Sequence, residues 1–274
     1  MRYGRVIVPI VFLGCIVVLI TSYSIWKSKI EMVKGETNNS QTEQRTLIEE
    51  DKEKTELESP KVAPTISRET IEQAIVNADE PVQEIVLNRF DAGEQVQMLI
   101  VGSTAMDDGS PGYAKLLTDE LANTYGSFLE TSVASFDGTS KNFIEEKMDE
   151  IDWTKAYDLV LYEPFTLNNN GKVKIEDEHK HIQVLEEKML AEVSDAVLVL
   201  QPSYPIYEAA FYLVQIEALE KYAKGKAYPF INHWSSWPST SDENLTTFLT
   251  EDNSPNEEGA KLWASSLINY FTAK

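Results

Sequence analysis

The sequence predicts a three-layer α/β/α domain on a parallel sheet of five strands, carried behind an N-terminal membrane helix and a polar stalk. Three observations lead to this prediction. Short apolar runs alternate with segments of helical periodicity from about residue 95 onward. An uncharged apolar run occupies residues 6–26, and a polar stretch without aromatic residues follows it. We therefore divide the chain into an anchor (1–30), a disordered, flexible stalk (31–64) and a globular domain (65–274).

The apolar run at 6–26 is long enough to cross a membrane. It has 21 uncharged residues, and a helix needs about 20 apolar residues to span the hydrocarbon core. Arg2 and Arg5 precede it and Lys27 follows it, so the positive-inside rule only weakly favours a cytoplasmic N-terminus. The favoured interpretation is a single-pass anchor in the cell membrane with an extracytoplasmic domain. Two alternatives stay open: a lipoprotein lipidated at Cys15, and a cleaved secretory signal.

The composition argues against several classes of protein. With 24 Lys and Arg against 45 Asp and Glu, the formal charge is −21 and no concentrated basic face is present, so nucleic acid is not an expected partner. A single cysteine excludes an intramolecular disulfide and a cysteine-based zinc site, which in an exported domain suits a Gram-positive bacterium. Three histidines leave little room for a metal centre. We expect a monomeric, solvated ectodomain without a cofactor or metal.

The globular part alternates between strand and helix patterns. Strand patterns are short apolar runs, whereas helix patterns repeat apolar residues at spacings of three and four. Strands are predicted at 96–101, 128–136, 157–162, 195–200 and 228–231, and helices at 113–125, 140–148, 176–193, 206–222 and 256–270, with an outer helix within 67–90. Helices between successive strands imply right-handed β-α-β units, and hence a parallel sheet covered on both faces.

Ligands of such sheets bind outside the carboxyl ends of the strands, so the residues after each strand form the candidate site. In strand order, these residues are Gly102-Ser103-Thr104, Asp137-Gly138-Thr139-Ser140, Glu163 with an asparagine-rich loop, Gln201-Pro202-Ser203-Tyr204, and Asn232-His233-Trp234. Hydroxyls, amides, a carboxylate and one histidine are therefore predicted to meet along one rim.

The first strand end and a C-terminal motif carry a resemblance to a known family. Gly102-Ser103-Thr104 ends the first strand, and residues 251–259 read Glu-Asp-Asn-Ser-Pro-Asn-Glu-Glu-Gly. These segments resemble the Gly-Asp-Ser and Asp-x-x-His-Pro-Asn-x-x-Gly blocks of the SGNH/GDSL hydrolases, a superfamily of esterases and lipases with a flavodoxin-like sheet. The resemblance extends over nearly all of residues 95–274.

The resemblance implies a role for each matched residue. Thr104 falls on the family's serine nucleophile. Glu251 matches the acid that orients the base, while Ser254 replaces the histidine base itself. Gly138, through its backbone N–H, and Asn168, through its side chain, would donate hydrogen bonds to the oxyanion.

A base must come from another residue, because a serine hydroxyl has no pKa suited to accepting a proton near neutrality. His233 lies on the same predicted rim and could approach Thr104 or Ser103, although a histidine flanked by tryptophans is more often packed and hydrogen-bonded. Glu163 is a second candidate, since burial would raise the pKa of its carboxyl group. A structural hydrogen bond from Glu163 to loop amides is the simpler interpretation.

Two function hypotheses follow from these residues. The first is an extracytoplasmic ester hydrolase of the SGNH type, acting on acyl or acetyl esters of surface polysaccharide, cell-wall polymer or lipid. The second is a catalytically inactive relative that binds an envelope glycan or a protein partner, with rim aromatics stacking on sugar rings. Activity on generic esters is expected to be low or absent, because the nucleophile and base positions both depart from the family pattern.

Overall fold

The computed structural model of the protein describes residues 66–274. The predicted membrane anchor with Cys15 and the predicted stalk lie outside this range, so their interpretation stays a prediction. Among the residues from 66 onward, none of the helices combines the length and apolarity that a membrane crossing requires.

Four strands and six longer helices follow one another in the described part of the chain. The strands are β1 (Val96–Ser103), β2 (Leu129–Phe136), β3 (Leu159–Tyr162) and β4 (Val197–Leu200). The helices are α1 (Arg68–Ala74), α2 (Glu80–Ala92), α3 (Tyr113–Tyr125), α4 (Ile175–Glu192), α5 (Ala210–Lys226) and α6 (Glu257–Thr272). Short helical turns fill several connections, among them Thr104–Asp107, Thr166–Asn169 and His233–Ser236.

Local sequence signals set several helix boundaries. The Ser67 side chain accepts the N–H of Thr70 and caps the start of α1. Gly93 ends α2 in the left-handed conformation, with φ 71°, which glycine adopts without steric cost. The Asn256 side chain accepts two N–H groups in the first turn of α6. These boundaries follow from hydrogen bonds within a few residues of the chain.

The four strands are parallel and lie in the order β2-β1-β3-β4. The chain forms β2 on one side of β1 and then crosses to the other side to form β3. The topological switch point therefore lies between β1 and β3, whose carboxyl ends bound the crevice at which sheets of this kind bind ligands.

The prediction of a fifth strand at 228–231 is wrong. This segment makes one parallel bridge, between Leu200 and Phe230, and two backbone hydrogen bonds with Leu200. The N–H of Tyr228 is bonded to a carbonyl at the end of α5, and Pro229 has no N–H to donate. A longer ladder cannot form with these two residues, so the sheet of the described domain has four strands.

Two helical segments differ from their prediction. The segment predicted as helix 140–148 is one α-helical turn (Ser140–Asn142), then a π-helix (Phe143–Lys147) and a 3-10 turn (Met148–Glu150). The outer helix expected within 67–90 is divided into α1 and α2. Pro81 lies in the first turn of α2, because proline is tolerated there but not in a helix interior.

Apolar layers cover both faces of the sheet. Met98 and Ile100 of β1 pack with residues of α1, α2, α3 and α6, whereas Leu99 and Val101 pack with residues of α4 and α5. This alternation is the two-residue period of a strand. Because all four side chains are buried, both faces contribute to the hydrophobic stabilisation of the domain. The predicted α/β architecture with a parallel sheet is confirmed.

Gly102 allows β1 to approach Glu163 closely. A Cβ at position 102 would lie 2.8 Å from the Glu163 Cβ and 3.2 Å from the Glu163 carbonyl oxygen. We expect Gly102→Ala to lower the free energy of unfolding by about 1–3 kcal/mol, because an added methyl group in a packed region forces the backbone to shift. Urea unfolding followed by circular dichroism measures this loss.

Gly225→Ala is the matched control for Gly102→Ala. A Cβ at position 225, in α5, meets nothing within 4 Å. We expect this change to leave stability unchanged or to raise it by about 0.5–1 kcal/mol, since alanine favours the helix over glycine. Equal unfolding free energies for Gly102→Ala and the wild type would contradict the close approach of β1 to Glu163.

Candidate functional site

The candidate site centres on the carboxyl ends of β1 and β3. Ser103, the last residue of β1, is buried, whereas Thr104 begins the turn Thr104–Asp107 and is exposed. Glu163 directly follows β3 and is 1% exposed. The predicted nucleophile motif has two hydroxyl residues, and of these two only Thr104 is exposed to solvent.

The Glu163 carboxylate joins the two strand ends. Its Oε2 accepts the backbone N–H of Ser103 at 3.0 Å, and its Oε1 accepts the backbone N–H of Thr166 at 3.1 Å. Burial raises the pKa of Glu163, while the adjacent Ser103 hydroxyl and the N–H donors oppose this increase. The Ser103 Oγ itself forms no hydrogen bond of good geometry. These contacts fit the structural interpretation of Glu163, because both oxygens are occupied by backbone donors.

His233 is fully buried, and both of its ring nitrogens are engaged. Nε2 lies 3.0 Å from the Pro202 carbonyl oxygen, to which it donates, and Nδ1 accepts the indole N–H of Trp237 at 3.2 Å. The imidazole also stacks on Trp263, with ring centroids 4.6 Å apart. Burial lowers the pKa of His233 to about 3. A role as catalytic base does not fit these contacts, because neither nitrogen is free to accept a proton from a rim hydroxyl.

Ser254, which the resemblance aligns with the family's histidine, lies near a carboxyl group. Ser254 is partly buried in a turn in which its carbonyl accepts the N–H of Thr250 at 2.8 Å. Burial raises the pKa of Asp108 and raises that of Tyr204 to about 12, and the nearby Ser254 hydroxyl opposes both shifts. The third member of the predicted triad, Glu251, is exposed. The position predicted for the base is therefore held by a hydroxyl that lies near Asp108 and Tyr204.

Asp108 is the group of this site that sequence reasoning missed. The loop after β1 is pressed against α6, since a Cβ on Gly109 would lie 2.5 Å from the Ala260 Cβ. This packing brings Asp108 near Ser254, which lies three residues before the start of α6. No local pattern distinguishes Asp108 from Asp107, because the contact joins residues that are far apart in sequence.

The two expected oxyanion donors follow β2 and β3, so they share with Thr104 the carboxyl edge of the sheet. Gly138 has a φ of 102°, and its N–H donates to the Asp137 carboxylate at 2.8 Å. Asn168 lies in the turn Thr166–Asn169 and is partly exposed. In this structure the Gly138 N–H is thus already paired, whereas the Asn168 residue is accessible from solvent.

Asn169, the residue next to the predicted donor, connects the loops of the rim. Its Oδ1 accepts the Ser140 N–H at 2.9 Å, and its Nδ2 donates to a Glu178 oxygen at 2.6 Å. Burial raises the pKa of Glu178 to about 8, the hydrogen bond from Asn169 opposes this shift, and the charge of Glu163 adds to it. Two buried carboxyl groups therefore lie close together beneath the rim.

Comparison with known proteins finds solved structures of similar fold but no protein of similar sequence among family models and curated proteins. No protein-family model matches the sequence, and no curated protein matches it. A catalytic mutant of Axe2, an acetylxylan esterase from Geobacillus stearothermophilus, is similar in structure with a TM-score of 0.51 and 12% identity, over 64% of this chain and 94% of that chain. A Parabacteroides merdae protein assigned to the GDSL-like lipases has a TM-score of 0.53 and 12% identity, over 65% and 95%.

A third similar structure is a G-D-S-L family protein from Desulfitobacterium hafniense, with a TM-score of 0.50 and 18% identity, over 64% of this chain and 99% of that chain. The described domain therefore has the fold of the SGNH/GDSL esterases and lipases. The resemblance drawn from the strand ends is confirmed at the level of the fold.

Glu178 should make stability depend on pH. Because burial raises its pKa from 4.5 to about 8, the folded state retains a proton that the unfolded state releases at lower pH. The stabilising contribution of Glu178 is full below the pKa that the group has in the unfolded state. It is lost as the pH rises through the pKa of the folded state. Between about pH 5 and about pH 8, we expect the wild type to lose about 1–3 kcal/mol more unfolding free energy than Glu178→Gln, which stays neutral.

Chemical denaturation at a series of pH values measures this difference. Glu176→Gln is the control, because Glu176 lies on the same helix but is exposed, and it should follow the wild-type curve. Parallel pH curves for the wild type and Glu178→Gln would show that burial does not hold the proton on Glu178.

Proposed function

We propose that the protein is a slow ester hydrolase of the SGNH type, acting outside the cytoplasm on acyl or acetyl esters of surface polysaccharide, cell-wall polymer or lipid. The observation that carries this proposal is the position of Thr104. It is an exposed residue directly after β1, beside the switch point at which sheets of this topology bind ligands. The membrane anchor and stalk predicted at 1–64 would hold the domain close to the cell surface.

In the proposed reaction, Thr104 Oγ1 attacks the carbonyl carbon of the ester and transfers its proton to the carboxylate of Asp108. The leaving alcohol takes this proton, and water then hydrolyses the acyl-threonine to regenerate the hydroxyl. Asp108 is suited to this role because burial raises its pKa and because it lies beside Ser254, the position of the family's base. A carboxylate is a weaker base than an imidazole, so we expect slow turnover.

The charge of the rim favours a neutral substrate. Asp107 and Asp108 lie in the loop after β1, Asp137 follows β2, and Glu251 lies in the turn before Ser254. Together they create a negative potential, which repels anions and does not oppose the approach of neutral groups. Acetyl or acyl esters therefore fit the rim better than phosphate or sulfate esters.

A second function, ligand binding without turnover, is favoured by the surroundings of His233. Both nitrogens of this buried histidine are bonded within the fold, and a hydroxyl, Ser254, stands where the base is expected. A site that keeps oxyanion donors but lacks its base retains only residual catalysis. In this alternative, the rim binds an envelope glycan or a protein partner.

Hydrolysis of p-nitrophenyl acetate and butyrate by the purified protein tests the first function. We expect weak hydrolysis that Thr104→Ala and Asp108→Asn each reduce at least about tenfold. The value of kcat/KM should rise with pH through the raised pKa of Asp108, because the base acts in its deprotonated form. Asp107→Asn is the matched control and should keep the wild-type rate. Hydrolysis that neither Thr104→Ala nor Asp108→Asn changes would contradict the assignment.

Restoring the family residues separates the two functions. If the rim is built for hydrolysis, Ser254→His should raise kcat, and combining it with Thr104→Ser should raise kcat by more than the product of the two single effects. The reason is that a nucleophile gains little without a base to take its proton. A wild type without measurable hydrolysis, together with no gain in the double variant, would favour binding without turnover.

A further inference from the structure

The side chain of Glu163 lies where β1 loses its partner strand. The ladder between β1 and β3 ends at the pair Val101–Tyr162, whereas β1 continues to Ser103 and stays paired with β2 on its other side. The backbone N–H of Ser103 donates to the Glu163 carboxylate at 3.0 Å instead of to a strand carbonyl. A side chain therefore continues the ladder for the residue that directly precedes Thr104.

The turn after β3 is held in an unfavourable backbone conformation. Phe165 has a φ of 59° and a ψ of 30°, the left-handed region that a bulky residue rarely adopts. Its buried ring packs on Phe143, with ring centroids 5.2 Å apart. Strain of this kind persists only where the surrounding structure fixes it, and it is concentrated at functional sites. The contacts that hold this turn are therefore candidates for a functional role.

Glu163 is one of the groups that hold this strained turn. Its second oxygen accepts the backbone N–H of Thr166 at 3.1 Å. Thr166 begins the helical turn Thr166–Asn169, in which the predicted oxyanion donor Asn168 lies. One buried carboxylate thus contacts the chain one residue before Thr104 and two residues before Asn168.

We propose that Glu163 is the positioning residue of the ester site, which sets the placement of Thr104 relative to Asn168. This inference rests on the proposed function, because it concerns the nucleophile and an oxyanion donor of that reaction. Attack on an ester requires the hydroxyl and the donor to be aligned on the same carbonyl group. Glu163 acts through the two backbone segments that its oxygens join, without contact to the reacting atoms.

The role requires a carboxylate rather than a carboxamide. Two backbone donors, one on each oxygen, favour the ionised form of Glu163. An ionised carboxyl group accepts through both oxygens, whereas a glutamine side chain has one acceptor oxygen and an NH₂ group that only donates. Glu163→Gln can therefore accept only one of the two N–H groups. Because the two side chains have nearly the same volume, the change alters hydrogen bonds without opening a cavity.

Hydrolysis of p-nitrophenyl acetate by the full-length protein tests the proposal. We expect Glu163→Gln to lower kcat at least about tenfold with KM unchanged, because misalignment removes stabilisation of the transition state alone. Hydrogen-exchange mass spectrometry should show faster exchange in the peptides that contain Ser103 or Thr166. Glu163→Asp, whose shorter side chain cannot reach both N–H groups, should lose kcat in the same way and repeats the test if Glu163→Gln does not fold.

Val86→Ala is the control for a loss of stability that spares the rim. Val86 is 1% exposed and lies in α2, which contributes no residue to the rim, so this change destabilises the core alone. It should keep the wild-type kcat under conditions in which circular dichroism shows it to be folded. An equal loss of kcat in Val86→Ala, or failure of both Glu163 variants to fold, would overturn the positioning role.

Thr104→Ala separates this proposal from the proposed function. Hydrolysis that Thr104→Ala abolishes and Glu163→Gln leaves at the wild-type kcat would overturn the positioning role alone. A wild type without hydrolysis, or hydrolysis that Thr104→Ala does not slow, would overturn the proposed function and the positioning role with it. Loss of kcat in both variants, with KM retained in Glu163→Gln, would support both.

Discussion

The arrangement of the rim depends on the buried carboxylate of Glu163. By accepting backbone N–H groups from Ser103 and Thr166, it ties the end of β1 to the loop after β3, across the switch point of the sheet. Gly102 leaves the space in which this side chain lies. The Gly-Asp-Ser motif, which the end of β1 resembles, has its carboxylate between the glycine and the nucleophile. This chain has Ser103 at that position and provides a carboxylate from the neighbouring strand instead.

Burying carboxyl groups under the rim has an electrostatic consequence. Glu163 and Glu178 are both almost fully enclosed, and desolvation raises the pKa of each. Asn169 forms a hydrogen bond with Glu178 and another with the backbone of Ser140, which follows β2. The same side chain therefore stabilises a buried carboxyl group and positions a loop of the rim. The polar interior therefore organises the loops, while the groups proposed for chemistry, Thr104 and Asp108, lie nearer the surface.

The predictions that succeeded rest on short-range patterns. The apolar runs and helical spacings located β1 to β4 and most helices, because burial on two faces of a sheet imposes a period on the local sequence. The prediction of a fifth strand was wrong, although the apolar residues at 228–231 suggested one. Pro229 has no N–H, and the N–H of Tyr228 is bonded to the end of α5, so neither can donate to a strand ladder. The segment after β2 had a helical pattern, but its π-helical turn is not visible in residue spacing.

The sequence by itself indicated the class of fold and the rim at which a ligand site would lie, and its resemblance to the SGNH/GDSL family implied that Ser254 stands where that family has a histidine. The first two conclusions need only periodicity and chain order, whereas the third depends on the resemblance. The tertiary structure alone decided that His233 is enclosed by partners and that Asp108 adjoins Ser254. The physical reason is that burial and hydrogen-bond partners are set by packing between segments that are distant in the chain, which no local pattern records.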